Sequence, residues 1–90
     1  MTKALVSVTG SDATGIIAGV ATKLSELNIN ILDISQTILG GYFTMLMVVD
    51  IEKAPVDFAG ISEQLQTVAD RLGMMIHIQR MDIFDAMHRI

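Results

Sequence analysis

The chain has 90 residues, 51% of them hydrophobic, and a formal net charge of −4. This length allows one domain, and no apolar run approaches the roughly 20 residues that a membrane-spanning helix needs. The acidic balance, with only six scattered basic residues, argues against general affinity for nucleic acid, and the absence of cysteine excludes disulfides, thiolate metal sites and a cysteine nucleophile.

The N-terminal residues Met1-Thr2-Lys3-Ala4 lead straight into a predicted strand and show no signal-peptide pattern. We therefore expect a cytoplasmic protein without a membrane segment. So high an apolar content on so small a body also favours an oligomer that buries part of its surface.

The first predicted strand, Lys3 to Thr9, places Ala4, Val6 and Val8 on one face. A helix follows from about Gly15 to Leu27, because apolar residues recur there at helical spacing. Its predicted apolar stripe contains Ile16, Ile17, Val20, Ala21, Leu24 and Leu27.

The turn between this strand and this helix is the first candidate for a binding site. It presents the first N–H groups of a helix, which lack intrahelical partners and attract a carboxylate or a phosphate. Gly10 and Gly15 would allow a backbone to approach a ligand or another chain closely. A plainer interpretation is a tight connection with Asp12 or Thr14 as the N-cap.

The second strand is predicted from Asn30 to Leu39. Neither of its faces is cleanly polar, which indicates a bulge near Ile31 to Ile34 or burial on both sides. The pair Gly40-Gly41 predicts a two-residue hairpin into a third strand, Tyr42 to Ile51. One face of the third strand is apolar throughout: Phe43, Met45, Met47, Val49 and Ile51.

A second helix is predicted after Pro55, reaching Leu72, with Gly73 as its C-terminal cap. A fourth strand follows from Met74 to about Met81, and a tail from Ile83 to Ile90 could form a short helix capped by Asp82. The second helix presents the stripe Phe58, Ile61, Leu65, Val68 and Leu72.

The order strand-helix-strand, hairpin, strand-helix-strand predicts an α+β, ferredoxin-like βαββαβ fold, with a short C-terminal helix added. Strands one and three should be central in a four-stranded antiparallel sheet, with two helices on one face. We predict one domain over residues 1–90, with a core at 1–82 and a tail at 83–90.

Motifs for catalysis or metal binding are missing. The histidines His77 and His88 lack the spacing of a zinc site, and no serine has a histidine nearby in the sequence. The spacing Gly10-x-x-x-x-Gly15 is not followed by the Lys-Ser/Thr of a phosphate loop, and strand one has no aromatic residue on which to stack a base. We expect neither an enzyme nor a metal or other cofactor, and a regulatory ligand-binding or dimerisation domain is the better interpretation.

Two segments resemble a known family. The segment Gly10-Ser11-Asp12-Ala13-Thr14-Gly15-Ile16-Ile17-Ala18-Gly19-Val20, followed by Leu27-Asn28-Ile29-Asn30-Ile31, resembles the ACT domain. The likeness covers nearly the whole chain and is greatest to small stand-alone ACT-domain proteins of uncharacterised function. It implies the ferredoxin-like fold and the binding of amino acids or similar small metabolites.

In ACT dimers the ligand usually lies between the turn after strand one and strand two of the partner. The resemblance carries over Asp12 and Gly15 in the turn and Asn30 in strand two. The candidate ligand-binding residues are Gly10, Ser11, Asp12, Ala13, Thr14, Gly15 and Asn30. The serine-binding members of the family have histidine at the position of Gly10, often asparagine at that of Asp12, and proline at that of Thr14.

These observations predict a regulatory domain that binds an amino acid or a similar metabolite at a homodimer interface formed by strand two. Many ACT domains regulate an enzyme fused to them, whereas this sequence contains no fused enzyme. The resemblance therefore implies either action on a separate enzyme or the sensing of a ligand for another purpose. The alternative is a purely structural dimerisation module without a ligand.

Overall fold

The computed structural model describes residues 1–11 and 14–81. Its helices and strands are β1 Lys3–Ser11, α1 Ile16–Glu26, β2 Asn30–Leu39, β3 Tyr42–Asp50, α2 Phe58–Leu72 and β4 Met75–Arg80. All strand pairs are antiparallel, in the order β2-β3-β1-β4. This confirms the ferredoxin-like fold, with β1 and β3 central. The short C-terminal helix predicted for Ile83 to Ile90 lies outside the described residues.

The core lies between the two helices and one face of the sheet. Alternation along β1 and β3 creates that face, since every second residue from Ala4 to Val8 and from Phe43 to Val49 is buried. Helix α1 contributes Ile16, Val20 and Leu24, and α2 contributes Ile61, Leu65, Val68 and Ala69. Every buried residue in the described part of the chain is apolar. Neither described helix is long and apolar enough to span a membrane.

The two helices differ in how they begin. Helix α2 has Asp57 as its N-cap, and the Asp57 carboxylate accepts a hydrogen bond of 2.9 Å from the Gly60 N–H. It ends, as predicted, at Gly73, whose φ of 68° is left-handed. The N-cap residue of helix α1, Gly15, offers no side chain for capping, and Ile17, predicted to lie in the apolar stripe of this helix, is 43% exposed.

Replacing Asp57 with alanine should remove about 1 kcal/mol from the free energy of unfolding, within the ~0.5–2 kcal/mol range of lost N-caps. The Gly60 N–H, which donates to Asp57, would then donate to water. A urea titration measures this loss as a lower midpoint, with the dependence of the free energy of unfolding on urea concentration unchanged. Glu63→Ala, in the exposed middle of the same helix, is the control and should stay within about 0.5 kcal/mol of the parent protein. Equal stability of the two variants would contradict the capping role.

The β2–β3 hairpin combines a regular turn with an irregular ladder. Gly40 and Gly41 have φ angles of 59° and 82°, as the predicted two-residue turn requires. The pairing register then shifts between Ile31 and Asp33, which confirms the predicted bulge and leaves Leu32 as the extra residue. Because side chains alternate along a strand, one extra residue moves the side chains of the β2 residues before it to the opposite face of the sheet.

Strand β2 is one of the two edge strands of the sheet. All ten of its residues are exposed, so the predicted alternative of burial on both sides is wrong for the single chain. Ile31, Ile34 and Ile38 pair with buried residues of β3 and therefore lie on the helix-covered face. Nevertheless Ile34 is 46% exposed and Ile38 is 55% exposed, which shows that the helices leave this part of the face open.

Candidate functional site

The predicted site residues of the β1–α1 turn lie at one end of the sheet. Strand β1 continues to Ser11, two residues beyond its predicted end, and Ser11, Thr14 and Gly15 are exposed. Asp12 and Ala13 lie outside the described residues. The described part of the turn therefore offers a solvent-facing surface directly before α1.

Gly15 is the N-cap of α1, so the prediction that Asp12 or Thr14 holds this position is wrong. Its φ is 86°, a left-handed conformation that glycine adopts without strain. A Cβ at Gly15 would meet nothing within 4 Å in the described chain, so it is the backbone conformation that favours glycine here. Gly15 has no side chain with which to cap α1, and the first N–H groups of a helix attract an anionic group.

Gly10 does make a close approach, although to its own chain. A Cβ on Gly10 would lie 2.6 Å from the Sδ atom of Met74. Met74 is buried and precedes β4, which pairs with β1. Within the single chain, the space beside Gly10 is therefore occupied by a core methionine.

Asn30 lies at the opposite end of the sheet from the turn. Ser11 pairs with Tyr42 at the beginning of β3, whereas Asn30 pairs with Asp50 at its end. Eight residue steps separate Tyr42 from Asp50, which corresponds to roughly 27 Å along an antiparallel strand. A single chain therefore brings Gly10, Ser11, Thr14 and Gly15 together but does not bring Asn30 to them.

Asn30 lines a polar cleft of about 270 Å³ together with Asn28, Asp50 and Lys53. The Asn28 side-chain amide donates to the Lys53 backbone carbonyl at 3.3 Å, which joins the α1–β2 loop to the loop after β3. Asn28 has a positive φ of 57°, the conformation expected of an asparagine in this turn. Asn28, Asp50 and Lys53 were not among the predicted site residues.

The Asp50 carboxylate is fixed by backbone donors. Its Oδ1 atom accepts hydrogen bonds of 3.1 Å from the Glu52 N–H and of 3.1 Å from the Thr2 N–H. The Glu52 N–H first, and then the Thr2 N–H, lower the pKa of Asp50 below its usual value. Asp50 therefore remains an ionised acceptor at neutral pH. Among residues 1–11 and 14–81, no three or more acidic or histidine side chains are grouped to hold a metal ion.

The sequence and the fold are similar to those of known proteins. A family model described as "ACT domain" matches residues 2–79. The chain is 50% identical to a UPF0237 protein of Methanocaldococcus jannaschii over 100% of both chains, and 49% identical to a UPF0237 protein of Listeria innocua over 98% of this chain and 99% of that one. It superposes on an ACT domain protein from Streptococcus pneumoniae with a TM-score of 0.83 and 42% identity, over 92% of this chain and 93% of that one.

Proposed function

This chain belongs to the ACT domain family, and from that premise we propose that it senses an amino acid or a similarly small metabolite at the interface of a homodimer. ACT domains are regulatory ligand-binding domains. Residues 1–90 would form one cytoplasmic domain with its core at 1–82. The protein would act on a separate enzyme.

The unpaired edge of β2 is the observation that carries the dimer. A ten-residue edge strand with exposed backbone groups is a template for pairing, and proteins usually protect such edges with lysine, proline or a short strand. β2 has no lysine or proline, whereas the other edge strand, β4, has six residues and ends in Arg80. The open apolar residues Ile34 and Ile38 add surface that a second copy would bury.

The strand register explains why such a dimer would also complete the ligand site. The β1–α1 turn lies beside Tyr42, which pairs with Leu39, so the turn and Asn30 lie at opposite ends of β2. In an antiparallel β2–β2 pairing about a twofold axis, the Leu39 end of one strand lies beside the Asn30 end of the other. The turn of one protomer and the partner's Asn30 would then line the same space.

The chemistry of these residues suits a zwitterion. The carboxylate of Asp12 would accept hydrogen bonds from the ligand's ammonium group, and the N–H groups at the start of α1 would face the ligand's carboxylate. The partner's Asn30 would bridge the two groups, because a side-chain amide both donates and accepts.

A thermal-shift screen of the common amino acids at millimolar concentration tests this function. A ligand that binds only the folded dimer stabilises it by about 2.7 kcal/mol at a hundred times its dissociation constant, which this method resolves. Asp12→Ala and Asn30→Ala should each abolish the shift while the ligand-free protein remains folded. Gln79→Ala removes an exposed amide on the other edge strand and should leave the shift unchanged.

Two results would count against the proposal. If no amino acid shifts the melting temperature, the structural dimerisation module becomes the better function. If a shift persists in both Asp12→Ala and Asn30→Ala, the ligand binds at another place on the molecule.

A further inference from the structure

The cleft around Asn30 contains two groups of opposite charge that the proposed site does not use. Asp50 is the neighbour of Asn30 in the sheet, and Lys53 lies three residues later, in the loop after β3. Together with the amides of Asn28 and Asn30, they give the cleft a carboxylate, an ammonium group and two side-chain amides. Its volume of about 270 Å³ is slightly below the roughly 300–1,000 Å³ of pockets for drug-sized ligands, so it suits part of a small metabolite.

The Asp50 carboxylate keeps an acceptor for a ligand. Both of its backbone hydrogen bonds go to Oδ1, and within residues 1–11 and 14–81 no hydrogen bond to Oδ2 is formed. These two bonds also hold the side chain in one orientation. Asp50 is therefore a fixed, ionised acceptor: backbone N–H groups hold its Oδ1 atom, and its Oδ2 atom can accept a hydrogen bond from a ligand.

The Lys53 ammonium group supplies the matching donor. In the described part of the chain, the ion pairs within 4.0 Å join the N-terminus to Glu52 and Lys23 to Glu26, and neither involves Lys53. The Lys53 charge still acts on Asp50, since it contributes to the lowered pKa of that carboxylate. Because both residues line the same cleft, the two charges can act on one bound group without being paired with each other.

We infer that Asp50 and Lys53 are specificity-determining residues, which select amino acids whose side chain both donates and accepts a hydrogen bond, such as a carboxamide or a hydroxyl. This inference rests on the proposed function: the partner's turn holds the ligand's ammonium and carboxylate, Asn30 bridges them, and the cleft receives the side chain. A carboxamide would donate its NH₂ group to Asp50 and accept from Lys53 through its oxygen. An aliphatic side chain would give neither Asp50 Oδ2 nor the Lys53 ammonium group a hydrogen-bond partner in the ligand.

Asparagine and leucine form a matched pair of probes, because their side chains have nearly the same shape and differ in polarity. Isothermal titration of the intact protein should show asparagine or glutamine, and serine as the hydroxyl probe, binding at least about tenfold more tightly than leucine. Lys53→Met and Asp50→Asn should reduce this preference to about twofold or less. Lys3→Met is the control: Lys3 is an exposed lysine that pairs with Asp50 from β1 but does not line the cleft, so the preference should remain.

Different results would overturn the selection by Asp50 and Lys53 alone or the proposed function as well. Equal affinity for asparagine and leucine, with binding still lost in Asp12→Ala, would overturn the selection by Asp50 and Lys53 and leave the proposed function standing. A preference that survives Lys53→Met and Asp50→Asn would overturn it in the same way. No binding of any amino acid would overturn both. A preference for the carboxamide or the hydroxyl probes over leucine that is lost in Lys53→Met and Asp50→Asn would support the inference.

Discussion

Leu65→Ala is expected to lower the free energy of unfolding by about 2–5 kcal/mol, the largest effect that we expect from a single substitution in this chain. Leu65 is 1% exposed and lies on the face of α2 that packs on the sheet, so truncation leaves a cavity as well as losing apolar burial. Domains of this kind have about 5–15 kcal/mol of stability in total.

Thermal unfolding at a fixed protein concentration measures the loss. In a domain of this size each kcal/mol corresponds to roughly 4–8 °C in Tm. Leu24→Ala, on the facing helix α1, should behave in the same way, since Leu24 is completely buried. Met75→Ala removes a side chain that is 63% exposed and should change the free energy of unfolding by no more than about 0.5 kcal/mol. A Leu65→Ala protein as stable as Met75→Ala would contradict the position of the core.

Ile34→Asp is expected to convert the proposed dimer to a monomer at low micromolar concentration. The substitution replaces exposed apolar surface on the β2 edge by a charge beside Asp33, and the twofold axis would bring a second copy of that charge to the same interface. Because Ile34 is exposed in the single chain, the fold itself should be retained. Light scattering gives the mass directly.

A second substitution at the same position tests the backbone rather than the side chain. The Ile34 N–H donates to the Asp33 side-chain oxygen at 2.9 Å, a bond within the edge strand itself. Ile34→Pro removes that N–H and should also weaken dimerisation. Met75→Asp places the same charge on the opposite edge strand and is the matched control, which should remain a dimer. A dimer that resists both changes at Ile34 would place the contact elsewhere.

Most of the fold could be predicted from the sequence because local signals agree with one another. The alternation along β1 and β3, the Gly40-Gly41 turn and the stripes of both helices all predict the same arrangement, and the structure confirms it. The N-cap of α1 could not be predicted in this way. Thr14 is a residue type that favours N-caps, but Gly15 follows it and adopts a left-handed conformation that ends the turn one residue later.

The residues around Asn30 were missed for a different reason. A regular hairpin about Gly40-Gly41 would pair residue 30 with residue 51, whereas the bulge shifts Asn30 to face Asp50. The sequence predicted the bulge, but not at which residue the register changes, so it could not assign Asn30 its neighbour. Lys53 lies in an irregular loop, where no periodicity indicates what a side chain faces. Knowledge of the correct register would have identified Asp50 as the neighbour of Asn30.

The strand order β2-β3-β1-β4 determines when the sheet can be completed during synthesis. Only β2 and β3 are neighbours both in the sheet and along the chain, whereas β1 is translated before both of its sheet partners. Pairings at long sequence separation form slowly, because loop-closure entropy is lost before the contacts form. Until the ribosome has delivered β4, the apolar side chains Val6 and Val8 of β1 lack one side of their sheet. Nascent chains that stall before β4 therefore expose one side of β1, a central strand of the sheet, and we expect such chains to be more open to proteolysis than the completed domain.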